Sequence, residues 1–73
     1  MNLKDLFQDL REGKIGEVKK ELLRYGTVVS DYSRDNEHGS FRSYTVRFEA
    51  RLFYIDMHNG NTKSILVNGI KYV

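Results

Sequence analysis

Between Ser43 and Met57 the chain alternates. Tyr44, Val46, Phe48, Ala50, Leu52 and Tyr54 take the even positions, and Thr45, Arg47, Glu49 and Arg51 the odd ones. Successive side chains of a strand point to opposite faces, so this period of two predicts a central β-strand buried on its even face. Beyond Arg51 the odd positions become apolar too, with Phe53, Ile55 and Met57. If helices cover the even face, these three residues are left to water. A straight strand from Phe41 to Met57 would also be roughly 55 Å long, whereas a globule of this size is about 30 Å across. Either the strand bends at a bulge, with Ala50 in the middle as the place for it, or one end projects and pairs with another chain.

A different period governs the N-terminal third. Leu3, Leu6, Phe7 and Leu10 repeat at helical spacing behind Asn2, a capping residue with Asp5 three positions on. The repeat breaks at Gly13-Lys14-Ile15-Gly16, because each glycine costs about 1 kcal/mol relative to alanine inside a helix. Ile15, Val18, Leu22 and Tyr25 then resume it about a quarter-turn out of phase, which predicts a second short helix ending at Gly26.

From Thr27 the residues favour strands, and Thr27, Val28, Val29 and Tyr32 suggest a first strand ending at Ser33. Arg34 to Ser40 contains no apolar residue and is expected to be an exposed loop. Asn59-Gly60 lies between apolar runs and signals a type I′ hairpin, with His58 opposite Asn61, Asp56 opposite Lys63, Tyr54 opposite Ile65, Phe53 opposite Leu66 and Leu52 opposite Val67. A second Asn-Gly at Asn68-Gly69 allows either a straight strand or another tight hairpin, which would return Ile70–Val73 along Ser64–Val67. The hairpin is preferred. The expected fold is therefore α+β: one or two short N-terminal helices (1–26) packed on one face of a three- to four-stranded antiparallel meander (27–73), in a single domain of 1–73.

Length and composition narrow the setting. A chain of 73 residues buries only about 60% of its unfolded surface, so one small core is expected. There is no cysteine, which removes the staple of small secreted domains and makes the cytoplasm the simpler expectation. No apolar run reaches the ~18 residues of a membrane helix. The 12 basic and 10 acidic residues divide evenly, 6 and 5 in residues 1–26 and again in 27–73. No half is basic enough to favour a polyanion.

Candidate chemistry is sparse. Asp56 and His58 share a strand face, but a metal site needs more ligands, and Asp31, Asp35, Glu37 and His38 would serve only if their loop folded over. No serine sits in a Gly-x-Ser-x-Gly elbow, and Gly13-Lys14-Ile15-Gly16 follows a helix and precedes Glu17, unlike a phosphate loop. No enzymatic activity, metal or cofactor is expected. Nucleic acid is the alternative partner, through Arg42, Arg47, Arg51 and the basic end of the second helix, Lys19 and Lys20. Against it, the alternation puts Tyr44, Phe48 and Tyr54 on one face and Arg47 and Arg51 on the other, so most of these rings are expected to be core.

The favoured expectation is a small non-enzymatic protein-interaction module that forms a homodimer. Its contact surface would be the apolar patch of Phe53, Ile55, Met57 and Leu66. In size and style, cysteine-free and proline-free with short helices and Asn-Gly hairpins, the chain resembles the small accessory and inhibitor proteins of phages and mobile elements, anti-CRISPR proteins among them. That likeness implies an anti-defence or accessory role, and no motif carries it.

Overall fold

A computed structural model describes residues 2–68 and the backbone of 70–71. Two helices, α1 (Leu3–Arg11) and α2 (Ile15–Tyr25), precede five strands: β1 (Thr27–Asn36), β2 (Gly39–Phe48), β3 (Arg51–His58), β4 (Asn61–Val67) and β5 (Ile70–Lys71). The strands form one antiparallel sheet in chain order, so the fold is an α+β meander with both helices on one face.

The helices start and stop where their caps allow. The Asp5 amide donates to Asn2 Oδ1 at 2.9 Å, supplying one of the partners that a helix N-terminus lacks. At the other end Gly13 adopts φ 78, its amide donates to the Leu10 carbonyl, and Lys14 N–H reaches back to the Asp9 carbonyl. These bonds close a Schellman motif around a left-handed glycine, and α2 leaves in a new direction. Leu6 and Leu10 of α1 and Val18 and Leu22 of α2 are buried against Val46, Phe53, Ile55, Ile65 and Val67 of the sheet. Tyr25, expected on the buried stripe, is exposed, and Leu23 packs beside the core instead.

The long central strand does not exist as one piece. At Glu49-Ala50 the chain reverses, both residues taking positive φ (48° and 63°), and β3 returns along β2 with Phe48 opposite Arg51 and Val46 opposite Phe53. Two left-handed residues in a two-residue loop make the type I′ turn, whose twist suits adjoining strands. The reversal accounts for the length conflict, since the molecule is only 39 Å in its longest dimension.

It also inverts the face assignment. Opposed residues in an antiparallel pair point to the same side, so the even residues of β2 and the odd residues of β3 both face the helices. Phe53 and Ile55 are 0% exposed and Met57 packs against the core, which corrects the expectation that these three form an outer patch. Leu66 does lie on the open face, half-buried, opposite Tyr54.

Other registers shift as well. His58 opposes Asn61 as expected, but an irregularity between Asp56 and Met57 sets Asp56 opposite Ser64, Ile55 opposite Ile65, Tyr54 opposite Leu66 and Phe53 opposite Val67. One extra residue in β4 therefore moves the apolar Ile65 and Val67 to the core face, and burial favours this register. The first strand continues to Asn36, leaving only Glu37-His38 as a loop in place of the expected Arg34–Ser40. Val67 pairs with Ile70 and Leu66 with Lys71, as the second hairpin requires; Gly69, Tyr72 and Val73 lie outside the described residues.

Candidate docking edge and open sheet face

With α1 and α2 on one face, the open face of the sheet and the outer edge of β1 have no covering element among the described residues. All ten residues of β1 are exposed, and it pairs only with β2 among the described residues. Which backbone groups look outward follows from the register. Asn59 N–H donates to the Ser40 carbonyl at 2.8 Å, so the even residues of β2 near its start hydrogen-bond toward β3. The odd residues Phe41, Ser43 and Thr45 then bond toward β1, to Arg34, Tyr32 and Ser30. Asp31, Ser33 and Asp35 of β1 are left with their N–H and C=O groups directed away from the sheet.

An unpaired edge is commonly blunted by proline, lysine, or bulges. β1 contains no proline or lysine, and its single irregularity lies between Val28 and Ser30, near its start. The stretch from Ser30 to Asn36 has no proline, lysine or bulge, and its guards are the charges of Asp31, Arg34 and Asp35. Val28, Val29 and Tyr32 keep 43%, 48% and 60% of their surface accessible, three large apolar groups on one edge strand.

On the open face the rows of side chains run across the strands. Tyr32, Ser43, Asp56 and Ser64 form one row. Ser43 Oγ donates to Asp56 Oδ1 at 2.8 Å and Ser64 Oγ to Oδ2 at 3.3 Å, so both oxygens of that carboxylate have partners. The next row holds Arg34, Phe41, His58 and Asn61. His58 stacks on Phe41 with ring centroids 4.6 Å apart, and the Arg34 guanidinium lies 5.3 Å from the Phe41 centroid. His58 Nε2 is 2.9 Å from the His38 carbonyl oxygen, an arrangement that needs the Nε2–H tautomer to donate. Asn59 Oδ1 accepts from Ser40 N–H at 2.9 Å. These bonds tie the β1–β2 turn to the β3–β4 turn.

Asp56 and His58 do share a face, as their spacing predicts, but serines hold one and a carbonyl the other. No group of three or more His, Asp or Glu residues is arranged to hold a metal ion among the described residues.

The candidate phosphate ligands are dispersed. Arg42 projects on the helix side of the sheet, where Nε and Nη2 donate to Asp31 Oδ1 and Oδ2 at 3.0 and 2.7 Å and the guanidinium lies 4.8 Å from the Tyr44 ring centroid. The Arg42 hydrogen bond, foremost, lowers the Asp31 pKa, and the same contact raises that of Arg42. Arg51, also on the helix side, lies over Phe7 at 5.7 Å. Arg47 is on the opposite, open face, opposite Leu52. Lys19 and Lys20 belong to α2, on neither strand. Sequence reasoning missed β1 as a surface because an edge strand shows its position only once the strand order is known.

No helix among the described residues is long and apolar enough to cross a membrane. Neither a family model, nor a curated protein, nor a solved structure matches this chain, and the functional reading rests on its geometry.

Proposed function

We propose that the chain is a small protein-interaction module, without chemistry of its own, that accepts a strand from its partner along the outer edge of β1. One observation carries this reading: a ten-residue strand exposed at every position, at the edge of the sheet, with outward backbone groups at Asp31, Ser33 and Asp35. Strand addition draws affinity from such groups and specificity from side chains beside them. Tyr32, Val28 and Val29 supply the apolar contacts.

A single-stranded nucleic acid has less to hold it. Stacking platforms combine free aromatic faces with a continuous cationic track. Here Arg34 and His58 lie against Phe41, Arg42 is engaged by Asp31, and Arg47 and Arg51 are on opposite faces.

Ser33→Pro tests the edge. It removes an amide that points away from β2, a position where edge strands accept proline. The variant is expected to keep the circular dichroism spectrum of the wild type and lose the proteins the wild type captures from lysate. Unchanged capture would refute docking on β1. Late, salt-dependent elution from heparin would replace a protein partner with a polyanion.

A further inference from the structure

We infer that the strand received by β1 is the β1 of a second copy, paired antiparallel about a two-fold axis through Tyr32. The inference rests on β1 being the docking edge and names its occupant. Two copies joined edge to edge in one antiparallel sheet are related by an axis perpendicular to that sheet, so each axis position dictates every opposed pair. If Asp31 lay on the axis it would oppose itself. An axis at Ser33 would set Asp31 against Asp35, and one at Arg34 would set two guanidinium groups together. Like charges directly opposed destabilise a ladder. An axis at Ser30 would push the irregularity at Val28/Ser30 into the centre of the pairing.

The axis at Tyr32 avoids all of these. Asp31 then opposes Ser33 on each side, and both are residues whose amide and carbonyl groups point outward. Ser30 opposes Arg34, and Tyr32 opposes its own copy at a non-hydrogen-bonded position, where opposed Cα atoms approach to about 4.5 Å and side chains are closest. Asp31, whose two oxygens accept from Arg42 of the same chain, then faces an uncharged hydroxyl residue. Tyr32, at 60% the most exposed of the large apolar groups in the described residues, would be the residue most covered by the pairing. The open faces of both copies would run on into one another across the axis.

The absence of cysteine gives a clean readout. Tyr32→Cys should form a disulfide-linked dimer under mild oxidation, since a residue on the axis meets itself within disulfide range. Ser30→Cys alone and Arg34→Cys alone should not, whereas mixing those two variants should link them. Sedimentation of the wild type at micromolar to millimolar concentration should give about twice the 8.6 kDa chain mass, and Ser33→Pro should give one chain mass with an unchanged circular dichroism spectrum. Equal linking of all three single-cysteine variants, or a dimer that survives Ser33→Pro, would overturn the pairing. A wild type of one chain mass throughout would also overturn it. In that event, loss of captured partners in Ser33→Pro would leave β1 as a docking edge for a different protein, and their retention would remove both readings.

Discussion

Replacing Ala50 by glycine should stabilise the protein, and the sign of the effect depends on whether the chain turns there. Ala50 sits at φ 63 and Glu49 at φ 48, both in the left-handed region. An L-residue with a Cβ loses roughly 1–2 kcal/mol there relative to its preferred conformations. Glycine relieves that strain but has more unfolded freedom to lose, about 0.5–1 kcal/mol. The net gain is about 1 kcal/mol, which for a domain of this size raises Tm by about 4–8 °C. Adding Glu49→Asn, a residue that tolerates the left-handed region, should extend the gain in the same direction. Had residues 43–57 been one extended strand, Ala50 would lie in its interior, and glycine would cost about 0.5–1 kcal/mol. Thermal melting followed by circular dichroism, with urea unfolding for the free energy, separates the two cases. Gly60→Ala is the reciprocal control: at φ 82, with open space where its Cβ would go, alanine meets no clash and should lose about 1 kcal/mol by conformation alone. A lower Tm for Ala50→Gly would refute the hairpin.

Three further outcomes follow from the core, the turns and the Asp31–Arg42 ion pair. Phe53→Ala should cost about 3–5 kcal/mol and Ile55→Ala about 2–5, so lysine at both positions should abolish the cooperative melt; a folded double-lysine variant would contradict their burial. Asn59→Ala removes the acceptor for Ser40 N–H and places alanine at φ 50, costing about 1–3 kcal/mol and speeding hydrogen exchange at Ser40; unchanged exchange would show that the two turns are not tied. The Asp31 pKa is lowered on folding, so its contribution is complete above the ordinary carboxylate range and is lost as pH falls through the lowered folded value. Asp31→Asn should therefore flatten the acid limb of the urea midpoint against pH, and because the pair is solvent-exposed, added salt should shrink the difference between variant and wild type.

What could be read in advance depended on whether a local signal stood at each junction. Asn2, Gly13 and Gly26 mark the helix ends, and the phase shift between Leu10 and Ile15 carries the break between helices. Asn59-Gly60 marks a turn whose chemistry is local. Glu49-Ala50 has none of that chemistry, and the alternation passes through it undisturbed. The signal lies beyond the turn instead: Leu52, Phe53, Tyr54 and Ile55 are apolar on both parities, so period alone does not say which set is inside. The parity change at Phe53 and the excessive length of the strand are the two signs of a reversal, and from sequence the first reads equally as a surface patch. The residues expected to form that patch are largely core. The extra residue in β4 was unreadable for a related reason, since a bulge is settled by whether Ile65 and Val67 can be buried together.

The neighbourhood of α2 and β4 has a consequence for how the chain is made. During synthesis the helical third emerges first, yet the sheet surfaces that bury Leu6, Leu10, Val18 and Leu22 include Ile65 and Val67, near the far end of the meander. Until those residues clear the ribosome, two short helices of 9 and 11 residues stand without their apolar support, below the length at which helices hold alone in water. The nascent chain is thus committed late, by the hairpin at Asn59-Gly60, and a ribosome stalled before Val67 would hold an unfinished core open to chaperones and proteases.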